Sequence, residues 1–139
     1  MFGDSLRKRR CIVPVDGFYE WQAVNKKKLP VWFHLKDEAP FGFAGIWDVW
    51  PGPAGKVFTV AILTTRPNDL TREVHDRMPV ILTPETEAVW LDPIVTDPAK
   101  LMPLVGPYSA ELMARADANP ALNKSSFEGP LCLLPPQTA

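Results

Sequence analysis

The chain has 139 residues, 46% hydrophobic and 22% charged, with a net charge of −1. That length leaves room for one domain, and the composition is that of a packed core rather than a disordered chain. The net charge taken alone says nothing about nucleic acid, and the longest apolar run, VFTVAIL at 57–63, is too short for a membrane-spanning helix of roughly 18 residues. The start of the chain, broken by Pro14, Asp16 and Gly17, does not read as a secretory signal, so the cytoplasm is the expected compartment. Sixteen prolines exclude a helical bundle, because an interior proline costs a helix about 3 kcal/mol.

Residues 11–15, CIVPV, form an expected strand whose Pro14 confines it to an edge or a bulge. Asp16-Gly17 is a turn. FYEWQ (18–22) and VWFHL (31–35), rich in aromatic and β-branched residues, read as a hairpin across a lysine-rich link. Period-two alternation puts Phe18 and Glu20 on one face and Tyr19 and Trp21 on the other. FGFAGIWDVW (41–50) is a glycine-punctuated strand, PGPAG (51–55) a loop, and KVFTVAILTT (56–65) a strand apolar on both faces and therefore expected at the centre of a sheet.

Asn68 is placed to cap a short helix over 70–74, and VIL (80–82) resumes as a strand after Pro79. Thr83-Pro84-Glu85 is a helix start, with N-cap, proline at the first position and an acid in the first turn. The proline-rich stretch 93–107 reads as a surface connection, Ser109 as the cap of a helix AELMARA (110–116), and LCLL (131–134) as an added strand. The fold class is α+β, a mostly antiparallel twisted sheet or open barrel with short peripheral helices, in a single domain over 1–139.

Charge is unevenly spread: residues 1–28 carry a net +4 and residues 29–139 a net −5. Arg7, Lys8, Arg9 and Arg10 are either a solvated edge or phosphate contacts on a groove rim, and Lys26 to Lys28 a solvated turn. Of the two histidines, His34 within a strand reads as structural. His75, in EVHDRMP between a short helix and a strand, is either a surface histidine or a catalytic one whose neighbours Glu73 and Asp76 tune it. Glu20, set among aromatics, is either paired with a cation or held protonated by desolvation, which would suit a general acid. Cys11 is either a small buried hydrophobe or the nucleophile of a cysteine hydrolase with His75. Cys11, His34, His75 and Cys132 show no metal-ligand spacing, and GxSxG, P-loop and GxGxxG patterns are lacking, so no metal and no cofactor are expected.

RKRRCIVPVDGFYEW (7–21), FAGIWDVW (43–50), FTVAILTTRPN (58–68), HDRMPVIL (75–82) and WLDP (90–93) together resemble the SRAP family, named for SOS response-associated peptidase. The resemblance implies an α+β domain that binds single-stranded DNA and bonds covalently to abasic sites in the DNA damage response. The nucleophile would be a cysteine directly after the initiator methionine, whose amine and thiol close a thiazolidine on the ring-opened sugar; autoproteolytic exposure of that cysteine is also implied. On this resemblance Glu20 is the active-site glutamate that gives and takes protons near the amine. His75 assists sugar opening and imine chemistry, and Arg77 meets the DNA backbone. With Arg7, Arg9 and Arg10 it completes the expected DNA contacts. The pattern departs at the start, where Met1-Phe2-Gly3 stands in place of Met-Cys-Gly-Arg. It implies that about the first third of the family domain, with its cysteine and an asparagine, is absent from this chain, that a covalent crosslink is out of reach, and that an exposed sheet edge favours self-association. The remaining rival is a non-catalytic single-stranded DNA-binding module.

Overall fold

The computed structural model describes residues 2–136; the side chain of Phe2, on which the expected loss of the nucleophile turns, lies outside the described set. In chain order the elements are α1 (Phe2–Lys8), β1 (Arg10–Val15), β2 (Phe18–Val24), β3 (Lys27–Leu35), β4 (Phe41–Gly52), β5 (Gly55–Ile62), the two-residue strands β6 (Thr64–Thr65), β7 (Met78–Pro79) and β8 (Ile81–Leu82), α2 (Pro84–Leu91), α3 (Pro98–Leu101) and β9 (Met113–Asp117), interspersed with 3₁₀ turns. All strand pairings are antiparallel and no barrel closes among the described residues, an α+β fold as expected. No helix among these residues is long and apolar enough to cross a membrane. The chain divides into two compact units, Met1–Val15 with Phe41–Arg66 and Met78–Tyr108, and Asp16–Pro40 with Pro67–Arg77 and Ser109–Ala139.

In the first unit β4 is central, pairing with β1, β5 and β8. Pro14 accordingly sits on the edge strand β1, where a missing N–H costs no ladder bond. One face of this sheet is buried against Val80, Leu82, Trp90 and Leu101, which pack on Ala44 and Ile46. Trp90 is delivered by α2, whose start is the expected one: Thr83 and Thr86 exchange capping hydrogen bonds and Pro84 opens the first turn. The proline excess is explained the same way, because five short helical pieces carry proline at their first or second position, where no N–H is required.

Arg10 ties this unit together. Its Nε donates to Trp90 O, its Nη1 to Leu6 O at 2.7 Å and Arg7 O at 2.9 Å, and its Nη2 to Asp92 O at 2.6 Å, with the guanidinium over the Trp90 ring. Burial pushes its pKa down, with Asp92 opposing.

Three expectations fail here. β5 is an edge strand paired only with β4, and all its residues are exposed, Phe58 at 71% and Val60 at 56%. An apolar run signals burial only if something covers it, and among the described residues nothing covers this one. The loop expected at 51–55 shrinks to Pro53-Ala54 because pairing runs to Gly52↔Gly55. The connection at 93–107 is partly core: Asp97 caps α3, which delivers Leu101, fully buried.

In the second unit β2 and β3 form the expected hairpin, joined at Asn25 (φ 47°) and Lys26 (φ 64°), the left-handed pair that a two-residue hairpin turn requires. Phe18 stacks on Phe33 with centroids 5.2 Å apart, and Tyr19 lies against Trp32 at 4.7 Å with the rings tilted by 45°. Gly17 is obligatory beside them, since a Cβ there would lie 2.2 Å from the Trp32 ring. The helix expected at 110–116 is instead a 3₁₀ turn at 110–112 followed by β9, which pairs with β3 and buries Met113 opposite Leu35. Pairing to an open strand edge outweighs a weak local helix tendency, and Ser109 makes no side-chain cap. The helix expected at 70–74 is a single turn. Buried Asn68 does cap it, its Oδ1 accepting from Leu70 N at 3.1 Å and Thr71 N at 2.9 Å. The strand expected at 131–134 is a 3₁₀ turn, Pro130–Leu133, to whose Cys132 carbonyl the Tyr19 hydroxyl donates at 3.0 Å.

Replacing Arg10 by alanine leaves four carbonyls without their donor and Trp90 without its cation. A loss of about 2–4 kcal/mol is expected, measured by denaturant unfolding; a loss below about 1 kcal/mol would remove Arg10 from this role.

Candidate functional site

The second unit holds an open cleft of about 410 Å³ lined by Glu20, Trp21, Lys28, His75, Leu122 and Asn123. Glu20 and Trp21 are consecutive residues of β2, an edge strand of the β2–β3–β9 sheet, so both border the cleft although their side chains alternate. Lys28 comes from β3. His75 comes from the segment after the Asn68 turn, where its backbone N–H still bonds Thr71 O at 3.0 Å. That segment is tied to the sheet by Gln22, whose amide donates to Glu73 O at 2.9 Å, and by an Arg115–Glu73 ion pair at 2.6 Å.

Burial pushes the Glu20 carboxyl above the ordinary carboxylate range; nearby His75 and the Trp21 backbone N–H pull it down, and Asp76 adds to the upward push. Of the two influences named in the sequence reading, desolvation is the larger, and the charge partner His75 acts against it. The His75 Nδ1 lies 3.1 Å from Arg77 N, 3.2 Å from Arg77 O and 3.2 Å from Asp76 Oδ1. A neutral ring accepts from Arg77 N and keeps its proton on Nε2. A protonated ring donates to the carbonyl or carboxylate, so one cradle serves both states. A carboxyl raised above its ordinary range and an imidazole thus share one solvent-accessible cleft.

Asn123 closes the 3₁₀ turn Pro120–Asn123, which Asn119 caps. Its Oδ1 accepts from Trp21 Nε1 at 2.8 Å and its Nδ2 donates to Lys28 O at 3.0 Å. Neither Asn123 nor Lys28 stood out in the sequence: one lies in a polar tail without a motif, the other inside a lysine triplet.

The remaining candidates have separate fates. Arg10 is committed to backbone carbonyls, leaving little of its donor capacity for phosphate. Arg9 reaches Ser5 Oγ at 2.9 Å and Asp48 at 3.4 Å. Arg7 in the first unit and Arg77 in the second are exposed. Cys11 is half-buried in β1, and burial pushes its thiol up, which withholds the thiolate that a cysteine hydrolase requires. His34 is structural as expected, its Nδ1 2.8 Å from Leu35 O and its ring stacked near Trp32. Among the described residues no three His, Cys, Asp or Glu side chains gather as a metal site would need.

Residues 1–125 match the family described as SOS response associated peptidase (SRAP). The chain belongs to the SRAP family. It is 42% identical over 131 residues to the abasic site processing protein YoqW of Bacillus subtilis, covering 93% of this chain and 58% of that protein. It is 32% identical to the abasic site processing protein HMCES of Gallus gallus, covering 96% of this chain and 45% of that one. A crystal structure of a Bacteroides thetaiotaomicron protein superposes with a TM-score of 0.87 at 34% identity, over 96% of this chain and 60% of that one. The SRAP chain described here thus spans somewhat more than half the length of these bacterial relatives.

The raised Glu20 carboxyl makes stability depend on pH with a defined sign. Below the ordinary carboxylate value of about 4.3 both folded and unfolded chains hold the proton. As pH rises the unfolded chain ionises first and the folded chain lags, so stability falls through the folded pKa. The stability of Glu20→Gln relative to the wild type should therefore grow as pH rises above about 4, read from unfolding free energies; a flat or falling difference would refute the desolvated carboxyl.

Proposed function

We propose that this SRAP chain handles abasic sites in single-stranded DNA, with Glu20 and His75 as the acid–base pair of the cleft. The observation that carries the reading is the joint placement of a desolvated carboxyl and an imidazole in one open cleft, in a chain whose family relatives are named abasic site processing proteins. A volume of about 410 Å³ suits a small unit such as one sugar-phosphate. Opening the sugar needs a group that shuttles a proton between ring oxygen and C1′ hydroxyl. Condensing its aldehyde with an amine needs a donor to the departing water, a task that a carboxyl raised above its ordinary range suits better than an unperturbed one. Arg77, exposed and two residues from His75, would meet a phosphate flanking the sugar.

Fluorescence anisotropy with a single-stranded oligonucleotide carrying one abasic site tests this. Affinity should fall with salt, log K against log salt sloping by about −0.7 per phosphate neutralised, and Arg77→Ala should make the slope shallower by about that amount. Absence of binding at low salt, or a slope indifferent to Arg77→Ala, would overturn the reading. For the covalent step, joining this chain to an upstream segment that opens with Met-Cys-Gly-Arg should give a heat-stable adduct with abasic single-stranded DNA, slowed about 10²–10⁴-fold by Glu20→Gln or His75→Ala.

The exposed β5 edge supports a second, separate reading, self-association of the chain by edge pairing. Val57, Phe58, Val60 and Ile62 are 41–71% exposed along a ladder edge that is unpaired among the described residues. Sedimentation should show mass rising with concentration, and Val60→Lys should return the chain to a monomer; a wild-type monomer at all concentrations would dismiss it.

A further inference from the structure

The cleft contains one large aromatic surface that acid–base chemistry leaves unused. Trp21 is half-buried, and its only polar atom is bonded to Asn123 at 2.8 Å. The other end of the Asn123 amide is bonded to Lys28 O at 3.0 Å, so both ends are engaged and the amide orientation is set. The indole is thereby fixed from a second element, the 3₁₀ turn at Pro120–Asn123, rather than left to its own rotamers. Simple core packing does not explain this, because both Trp21 and Asn123 line an open cleft and Asn123 is exposed.

We propose that Trp21, oriented by Asn123, stacks on the nucleobase that flanks the missing base, and that this pair sets the preference of the cleft for abasic over intact strands. The inference rests on the abasic-DNA reading of the same cleft. In an intact single strand each base face is covered by its neighbour, and an indole must displace that neighbour to stack. Beside an abasic site one face is bare, and the indole covers it at no such cost. Stacking of a base on an aromatic side chain is worth roughly fivefold to a hundredfold in affinity. Trp21 lines the same cleft as Glu20 and His75, so a base held on the indole brings the adjoining sugar toward the carboxyl and the imidazole. Trp21 is the stacking residue and Asn123 a positioning residue that acts through it.

The test is the ratio of affinities for two single-stranded oligonucleotides that differ only in one tetrahydrofuran abasic analogue, measured by anisotropy. The wild type should prefer the abasic strand. Trp21→Ala should weaken abasic binding about tenfold, with a smaller change for the intact strand, so that the ratio collapses. Trp21→Phe, which keeps a ring but no N–H, should retain most of it. Asn123→Ala should lower the ratio roughly threefold to tenfold in the wild-type background and have no further effect in the Trp21→Phe background, because the bond it removes is already gone. A wild-type ratio near one, a Trp21→Ala ratio equal to that of the wild type, or an Asn123→Ala effect undiminished by Trp21→Phe would overturn the inference while leaving abasic-DNA binding intact. Failure of the wild type to bind either strand would bring down the functional reading, and this inference with it.

Discussion

The register of the β2–β3 hairpin is the constraint on which the site depends. The two left-handed residues Asn25 and Lys26 fix the turn, and the turn fixes the pairing of Phe18 with Phe33, Tyr19 with Trp32 and Trp21 with Pro30. A slip of one residue would send every side chain of β2 to the opposite face. Glu20 would then exchange its desolvated place with a neighbour, and Trp21 would lose Asn123. The ring contacts of Phe18 with Phe33 and of Tyr19 with Trp32 penalise such a slip on both faces at once. Lysine is a poor choice for a left-handed position, and its cost is accepted where the register matters most.

The segment carrying His75 is held by polar contacts rather than by a helix. Asn68 organises its beginning, Glu73 joins it to Gln22 and Arg115, and the histidine ring closes on the backbone of Arg77. This arrangement lets an irregular loop keep its shape while its functional face stays open to water. Burial of Glu20 raises its carboxyl above the ordinary range, so that ionising it in the folded chain costs stability.

Four adjacent basic residues meet different fates in the first unit. Arg10 is folded inward onto carbonyls and Trp90, Arg9 lies between Ser5 and Asp48 with its Nε buried and unbonded, Lys8 pairs with Asp4 at 3.2 Å, and Arg7 is exposed. The sequence shows a single block of positive charge. Helix and strand directions on either side of the α1–β1 junction divide it into structural and solvent-facing parts, so the charge count overstates what is available to a nucleic acid.

The sequence by itself determined what a few neighbouring residues can decide. The edge strand with Pro14, the hairpin, the Thr83-Pro84 helix start, the Asn68 cap and the antiparallel α+β class all follow from dihedral preferences, missing N–H groups and short-range hydrogen bonds. Glu20 and His75 were legible as candidates because a carboxylate among aromatics and a histidine in a charged loop are unusual locally. The tertiary structure alone decided which apolar runs are covered and which strands find partners. KVFTVAIL became an exposed edge, AELMARA yielded its end to β9, Leu101 entered the core from a proline-rich connection, and Asn123 reached Trp21 across about a hundred residues of chain. Burial and strand pairing depend on what arrives from elsewhere in the chain, and no local pattern of side chains encodes that arrival.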